Sequence, residues 1–129
     1  MNREKITVLY KKYELTKDDI FKHKFYLIVT RQGIDKIQAK EKIFISYDVV
    51  KCQPDFSAVK AMAKKGDIEI ETFGSAYKGD YPIGNTNTWY VLEMAEKRAM
   101  SRAVLKLTGF YELGVFGEDE SEDFKKPNK

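Results

Sequence analysis

The chain has 129 residues and a mass of 15.0 kDa, with 43% hydrophobic and 33% charged residues and a formal net charge of +3. That length and balance suit a single globular domain with its own core and exclude two. No run approaches the roughly 20 apolar residues of a membrane helix, MNREKITVLYKKYEL lacks the apolar heart of a secretion signal, and one cysteine, Cys52, excludes an internal disulfide.

Ile6 to Tyr10 (ITVLY) reads as an early strand. Thr16 to Asp19 (TKDD) has the form of a capping box and predicts a short helix. Phe25 to Thr30 (FYLIVT) is rich in β-formers and predicts a buried strand. In Gln32 to Lys42 the isoleucines at 34 and 37 face one way and the lysines another, as in a short amphipathic helix. Ile43 to Val50 (IFISYDVV) predicts a second strand. Phe56 to Ala63 fits either a helix or a strand, but the turn at Lys64-Lys65-Gly66-Asp67 and the alternation of Ile68 to Tyr77 favour a hairpin. Gly74 within it suggests a bulge or bend.

The loop Gly79 to Asn87 leads into Trp89 to Gly109, the longest predicted helix, with cap oxygens expected from Asn85, Thr86 or Asn87 and a left-handed end at Gly109. Leu92, Ala95, Ala99, Ala103 and Leu107 share one face, flat enough for close packing. Arg98, Arg102 and Lys106 form a basic ridge beside it, while Glu93 and Lys97 make a favourable i,i+4 pair. Such a ridge is either a solvated face or a phosphate contact. Charge is unevenly placed: the segment after Tyr111 holds six acids and three lysines, so the body is the more basic part. From Glu118 onward the composition predicts a disordered acidic tail, 118–129, after a domain spanning 1–117.

Catalytic constellations are missing. No glycine is followed by Lys-Ser/Thr at phosphate-loop spacing, His23 is the only histidine, and no serine lies in an elbow motif. Cys52 reads as a half-buried small hydrophobe. Asp67, Glu69 and Glu71 read as the wet face of a strand, with Mg²⁺ binding in a small nuclease as the rival. Tyr77, Tyr81, Trp89 and Tyr90 cluster around the loop entering the basic helix. Rings beside cations are what single-strand binding uses, although Trp89 could equally fill the core.

MAEKRAMSRAVLKLTG, Met94 to Gly109, resembles the helix of single-strand annealing proteins from phages and mobile elements, the Erf and RecT/Redβ-like group related to the Rad fifty-two superfamily. GVFGEDESEDF and the order strand, short helix (RQGIDKI), strand, hairpin, loop, long helix fit as well, over about residues 25 to 124. The resemblance implies an α+β fold in which an antiparallel sheet with a long hairpin packs on one long C-terminal helix. It implies binding of single-stranded DNA and annealing without ATP, metal or any cofactor. The family's contacts fall on Arg98, Arg102 and Lys106 of the helix and loosely on Lys60, Lys64 and Lys65 of the hairpin; Lys97, Tyr77, Tyr81 and Tyr90 are the further candidate DNA contacts. It further implies a non-enzymatic homo-oligomer, ring or filament, in the cytoplasm of a bacterial or phage-infected cell. Sheet edges near Lys64 to Asp67 or at Ile6 to Tyr10 are the expected joints, and the acidic tail is a candidate contact for a protein partner. The competing reading is a protein-interaction or accessory module.

Overall fold

The computed structural model describes residues 3–23, 26–80 and 83–119. In chain order it contains helix α1 (Arg3–Lys12), strands β1 (Ile20–His23) and β2 (Tyr26–Val29), helix α2 (Arg31–Glu41), strands β3 (Phe44–Gln53), β4 (Phe56–Lys65) and β5 (Ile68–Tyr77), helix α3 (Val91–Leu107), a 3₁₀ turn (Tyr111–Leu113) and strand β6 (Val115–Gly117). The fold is α+β. One sheet is the antiparallel meander β3-β4-β5; the other runs β1-β2-β6, antiparallel between β1 and β2 and parallel between β2 and β6. No helix among the described residues is long and apolar enough to cross a membrane.

The N-terminal segment corrects the expected strand: it is helical. Ile6, Leu9, Tyr10 and Tyr13 stand three and four residues apart, so a helix brings all of them to one face. Ile6 and Tyr13 are buried there, with Leu9 and Tyr10 packed beside them. That burial outweighs the β-branched bias of Ile, Thr and Val. At Thr16 the capping-box residues make their bonds without a helix. The Asp19 carboxylate accepts from the Thr16 N–H at 2.8 Å and from its hydroxyl at 3.2 Å, and the chain then enters β1. Asp19 is fully buried and also takes Lys36 Nζ at 2.6 Å and Gln32 Nε2 at 2.9 Å, so it ties this turn to α2.

α2 matches the expected helix. The Thr30 hydroxyl caps it by accepting from the Gly33 N–H. Gly33 has no room for a side chain, since a Cβ would lie 2.6 Å from Val29 Cγ1 and 2.7 Å from the Asp19 carbonyl oxygen. β2 matches over Tyr26–Val29, with Phe25 outside the described residues. β3, β4 and β5 match as well, and the lysine-bearing turn at Gly66 joins the last two.

α3 lies between the two sheets and holds the domain together. Its first half sets Val91, Ala95 and Ala99 on Val59, Ala61 and Ala76 of the meander. Its second half puts Met100, Val104 and Leu105 into a larger core with Ile6, Tyr13, Val29, Ile34, Ile37, Phe110 and Val115. The alanine face is thus a close-packing face, as its composition predicts. Gly74 is the matching position on β5. A Cβ there would stand 2.3 Å from the Ala95 oxygen and 2.5 Å from the Ala99 nitrogen. The β4–β5 register runs unbroken through Gly74, so the expected bulge is absent; the irregularity lies in β3, between Val49 and Lys51. Gly109 does adopt a left-handed φ of 89° after the helix. The N-terminus differs from expectation: Tyr90 is the cap and makes no side-chain cap bond, because Asn85 serves the sheet edge.

The C-terminal boundary also shifts. Glu118 accepts from the Arg31 N–H at 2.8 Å, and Asp119 Oδ2 accepts from the Ser101 hydroxyl at 2.7 Å. The first two residues of the expected disordered tail are therefore bonded to the body, and 120–129 lie outside the described residues.

Candidate nucleic-acid interface

The basic ridge of α3 is not an open ridge. Arg98 is 2% exposed. Its guanidinium donates from Nε to the Asp119 carbonyl, from Nη1 to the Ser75 carbonyl and from Nη2 to the Asn85 carbonyl, each at 2.9 Å. The planar fork of five donors is what lets one side chain join the C-terminal segment, β5 and the loop before α3. A phosphate cannot reach it, so Arg98 is a structural junction. Arg102 is half-buried and donates from Nη1 to the Phe73 carbonyl at 2.8 Å. Lys106 is exposed, with Nζ 5.3 Å from the Tyr111 ring. Lys97 is half-buried on another side of the helix. Four-residue spacing put Arg98, Arg102 and Lys106 in one row, but at Arg98 and Arg102 that row faces the β5 edge and only Lys106 is open.

The hairpin lysines divide between two faces, because side chains alternate along a strand. Lys60 and Lys64 lie on the outer face of the meander, Lys60 with Nζ 3.7 Å from Glu71. Lys65 points the other way and meets Glu41 at 3.8 Å. Glu69 and Glu71 share the outer face with Lys60 and Lys64. Among the described residues no three His, Cys, Asp or Glu side chains group as a metal-holding set. Cys52 is exposed rather than half-buried.

The aromatic residues do come together, at the end of the meander near the β3–β4 turn. Tyr77 is exposed there and meets Phe56 edge-to-face at 5.9 Å. Trp89 is 66% and Tyr90 69% exposed. Lys78 sets its ammonium 4.7 Å from the centre of the Trp89 ring and its N–H on the Asp55 carbonyl at 2.8 Å. Asn85 fixes this arrangement. Its side chain accepts from the Tyr77 N–H and donates to the Ser75 carbonyl, while its own N–H donates to the Tyr77 carbonyl. The loop is thereby sewn to the β5 edge, which leads the chain back past Lys78 and delivers Trp89 beside it. Gly84 makes the path possible, since a Cβ would stand 2.5 Å from the Tyr77 oxygen. Tyr81 lies outside the described residues.

Two members of the cluster, Phe56 and Lys78, escape a sequence reading. Phe56 sits where a hairpin strand begins and Lys78 where one ends, and neither position signals exposure. Trp89, which sequence left open between core and surface, is on the surface. Comparison with protein-family models, with curated proteins and with solved structures finds no match to this chain.

Proposed function

We propose that the protein binds single-stranded DNA at the Tyr77–Trp89 end of the meander and that several copies together promote strand annealing. One observation carries this reading: Trp89 and Tyr90 are both largely exposed, with a lysine ammonium held over the indole. A folded domain gains by burying such rings. Rings kept outside beside a cation offer a stacking surface for bases and a charge for the adjoining phosphate. Phe56 and Tyr77 extend the surface onto the sheet, where Lys60 supplies a further cation. Of the helix cations Arg98 takes no part, and Lys106 lies in the last turn of α3, away from the end that carries Trp89. The chemistry asked of the site is binding and alignment, with no bond made or broken.

Trp89 is the only tryptophan, so its fluorescence reports directly on stacking. Titration with an oligothymidylate is expected to quench it. Trp89→Ala is expected to weaken binding roughly 5- to 150-fold, the span of about 1–3 kcal/mol per stacked base. Lys78→Ala should flatten the slope of log K against log salt by about 0.7 if its charge meets one phosphate. An unquenched tryptophan, or an oligonucleotide affinity that Trp89→Ala leaves unchanged, would remove the basis of the reading. Exposed Ile83, in the loop that leads to Trp89, favours, as second reading, an apolar protein partner. Binding to such a partner would be insensitive to salt.

A further inference from the structure

The two edges of the β3-β4-β5 meander are treated differently. On β5 the outward groups are occupied: Arg102 bonds the Phe73 carbonyl, Arg98 and Asn85 bond the Ser75 carbonyl, and Asn85 bonds both the N–H and the carbonyl of Tyr77. No strand can add there over residues 73–77. On β3, among the described residues, nothing outside the sheet bonds to the backbone of Phe44–Gln53. α3 lies mainly over β4 and β5; on β3 Ile45 packs against both cores, while Tyr47, Val49 and Val50 keep exposed surface. β3 is thus a ten-residue edge strand with unpaired backbone groups and an apolar inner row. Such an edge pairs with another strand unless it is blunted.

The geometry points to a two-fold homodimer in which β3 pairs antiparallel with β3 of a second copy, centred on Tyr47. A head-to-tail joint, β3 on β5, is barred over residues 73–77 by the caps, which leaves only Ile68–Thr72 of β5 open, half the length of β3. The stretch that can pair is Phe44 to Val49, which runs in unbroken register on β4 before the bulge. Centred on Tyr47, its pattern is self-complementary. Tyr47 meets Tyr47, Ile45 meets Val49 on the inner face, and Ser46 meets Asp48 on the outer face. A shift that centres the pairing on Asp48 would oppose two carboxylates, which is unfavourable. The result is a six-stranded sheet with both α3 helices on one side. Of the expected joints, Ile6 to Tyr10 is helical and offers no sheet edge, and in the strand pair around Lys64 to Asp67 only β5 lies at an edge. The β3 joint specifies the assembly that the proposed annealing activity rests on, yet it needs no nucleic acid to form.

Sedimentation of the full chain at tens of micromolar is expected to give twice the 15.0 kDa of one copy. Val49→Lys should return it to one copy; the site is 53% exposed, so the fold should tolerate the charge. In a Cys52→Ser background, Tyr47→Cys should cross-link copies on oxidation, because a residue on the axis faces itself within the roughly 4.4–6.8 Å Cα range of a disulfide. Phe73→Cys, on the capped edge, should not. A one-copy mass for the native chain, an oligomer that survives Val49→Lys, or equal cross-linking through Phe73 would each overturn the interface. Short-oligonucleotide affinity separates this from the binding proposal. One-copy Val49→Lys should still quench Trp89, so loss of the dimer and loss of DNA binding are read independently.

Discussion

The two halves of α3 are stabilised by different means. The C-terminal half lies among large apolar side chains, with Leu105, Val104 and Met100 facing Ile34, Ile37, Phe110 and Val115. The N-terminal half sets one valine and two alanines against a glycine, a valine and two alanines, so less apolar volume is buried there. Close backbone approach and hydrogen bonds compensate: the Thr72 hydroxyl reaches the Ala99 carbonyl at 2.6 Å, and Arg98 holds three carbonyls. Small residues allow a helix to sit directly on a sheet, and a planar cation can replace an apolar core where loops and strand ends converge. The candidate binding surface stands on this thin half, so its rings are positioned by hydrogen bonds more than by packing.

Substitutions on either side should break that contrast in different ways. The largest effect is expected from Arg98→Met, which keeps the stem and leaves the part-buried Asn85 and Asp119 carbonyls without their donor, while Ser75 keeps its bond from Asn85. Unmet acceptors cost about 1–3 kcal/mol each, so a loss of about 2–6 kcal/mol in urea unfolding is expected. Hydrogen exchange should rise at Asn85, Ser75 and Asp119 together. A loss below about 1 kcal/mol would mean that the junction is not what holds this half. Leu105→Ala tests the thick half and should cost about 2–5 kcal/mol by leaving a cavity, without altering exchange around Asn85. Gly74→Val should cost about 1–3 kcal/mol or more, since the new side chain meets backbone rather than yielding side chains. Its diagnostic is selective: Trp89 fluorescence should change while the packing around Phe110 stays native.

The smallest effect concerns the turn beside the thick half. Burial alone pushes the Asp19 carboxyl up, but hydrogen bonds from Lys36, the Thr16 N–H, Gln32 and the Thr16 hydroxyl outweigh it and hold the group down at about 2. A carboxyl depressed in the folded state contributes stability above its ordinary pKa of 3.8 and loses it as pH falls through about 2. That contribution is about 2 kcal/mol. Asp19→Asn should therefore flatten the acid limb of a stability-versus-pH curve between about pH 4 and 2. An unchanged acid limb would show that another group governs it.

Much of the architecture was legible in local pattern. The meander follows from alternation and the glycine turn, α2 from its cap and isoleucine spacing, and α3 from a breaker-free run ending at Gly109, because strand and helix periods and left-handed ends are properties of neighbouring residues. Tertiary structure decided what those elements face. ITVLY became a helix because Tyr13, seven residues beyond Ile6, joins it in one buried cluster. Arg98 left the surface because three carbonyls from distant segments converge on its guanidinium, and Trp89 reached the surface because Asn85 sews its loop to β5. Helical spacing determines which side chains share a side; it contains no information about which side the rest of the chain will cover.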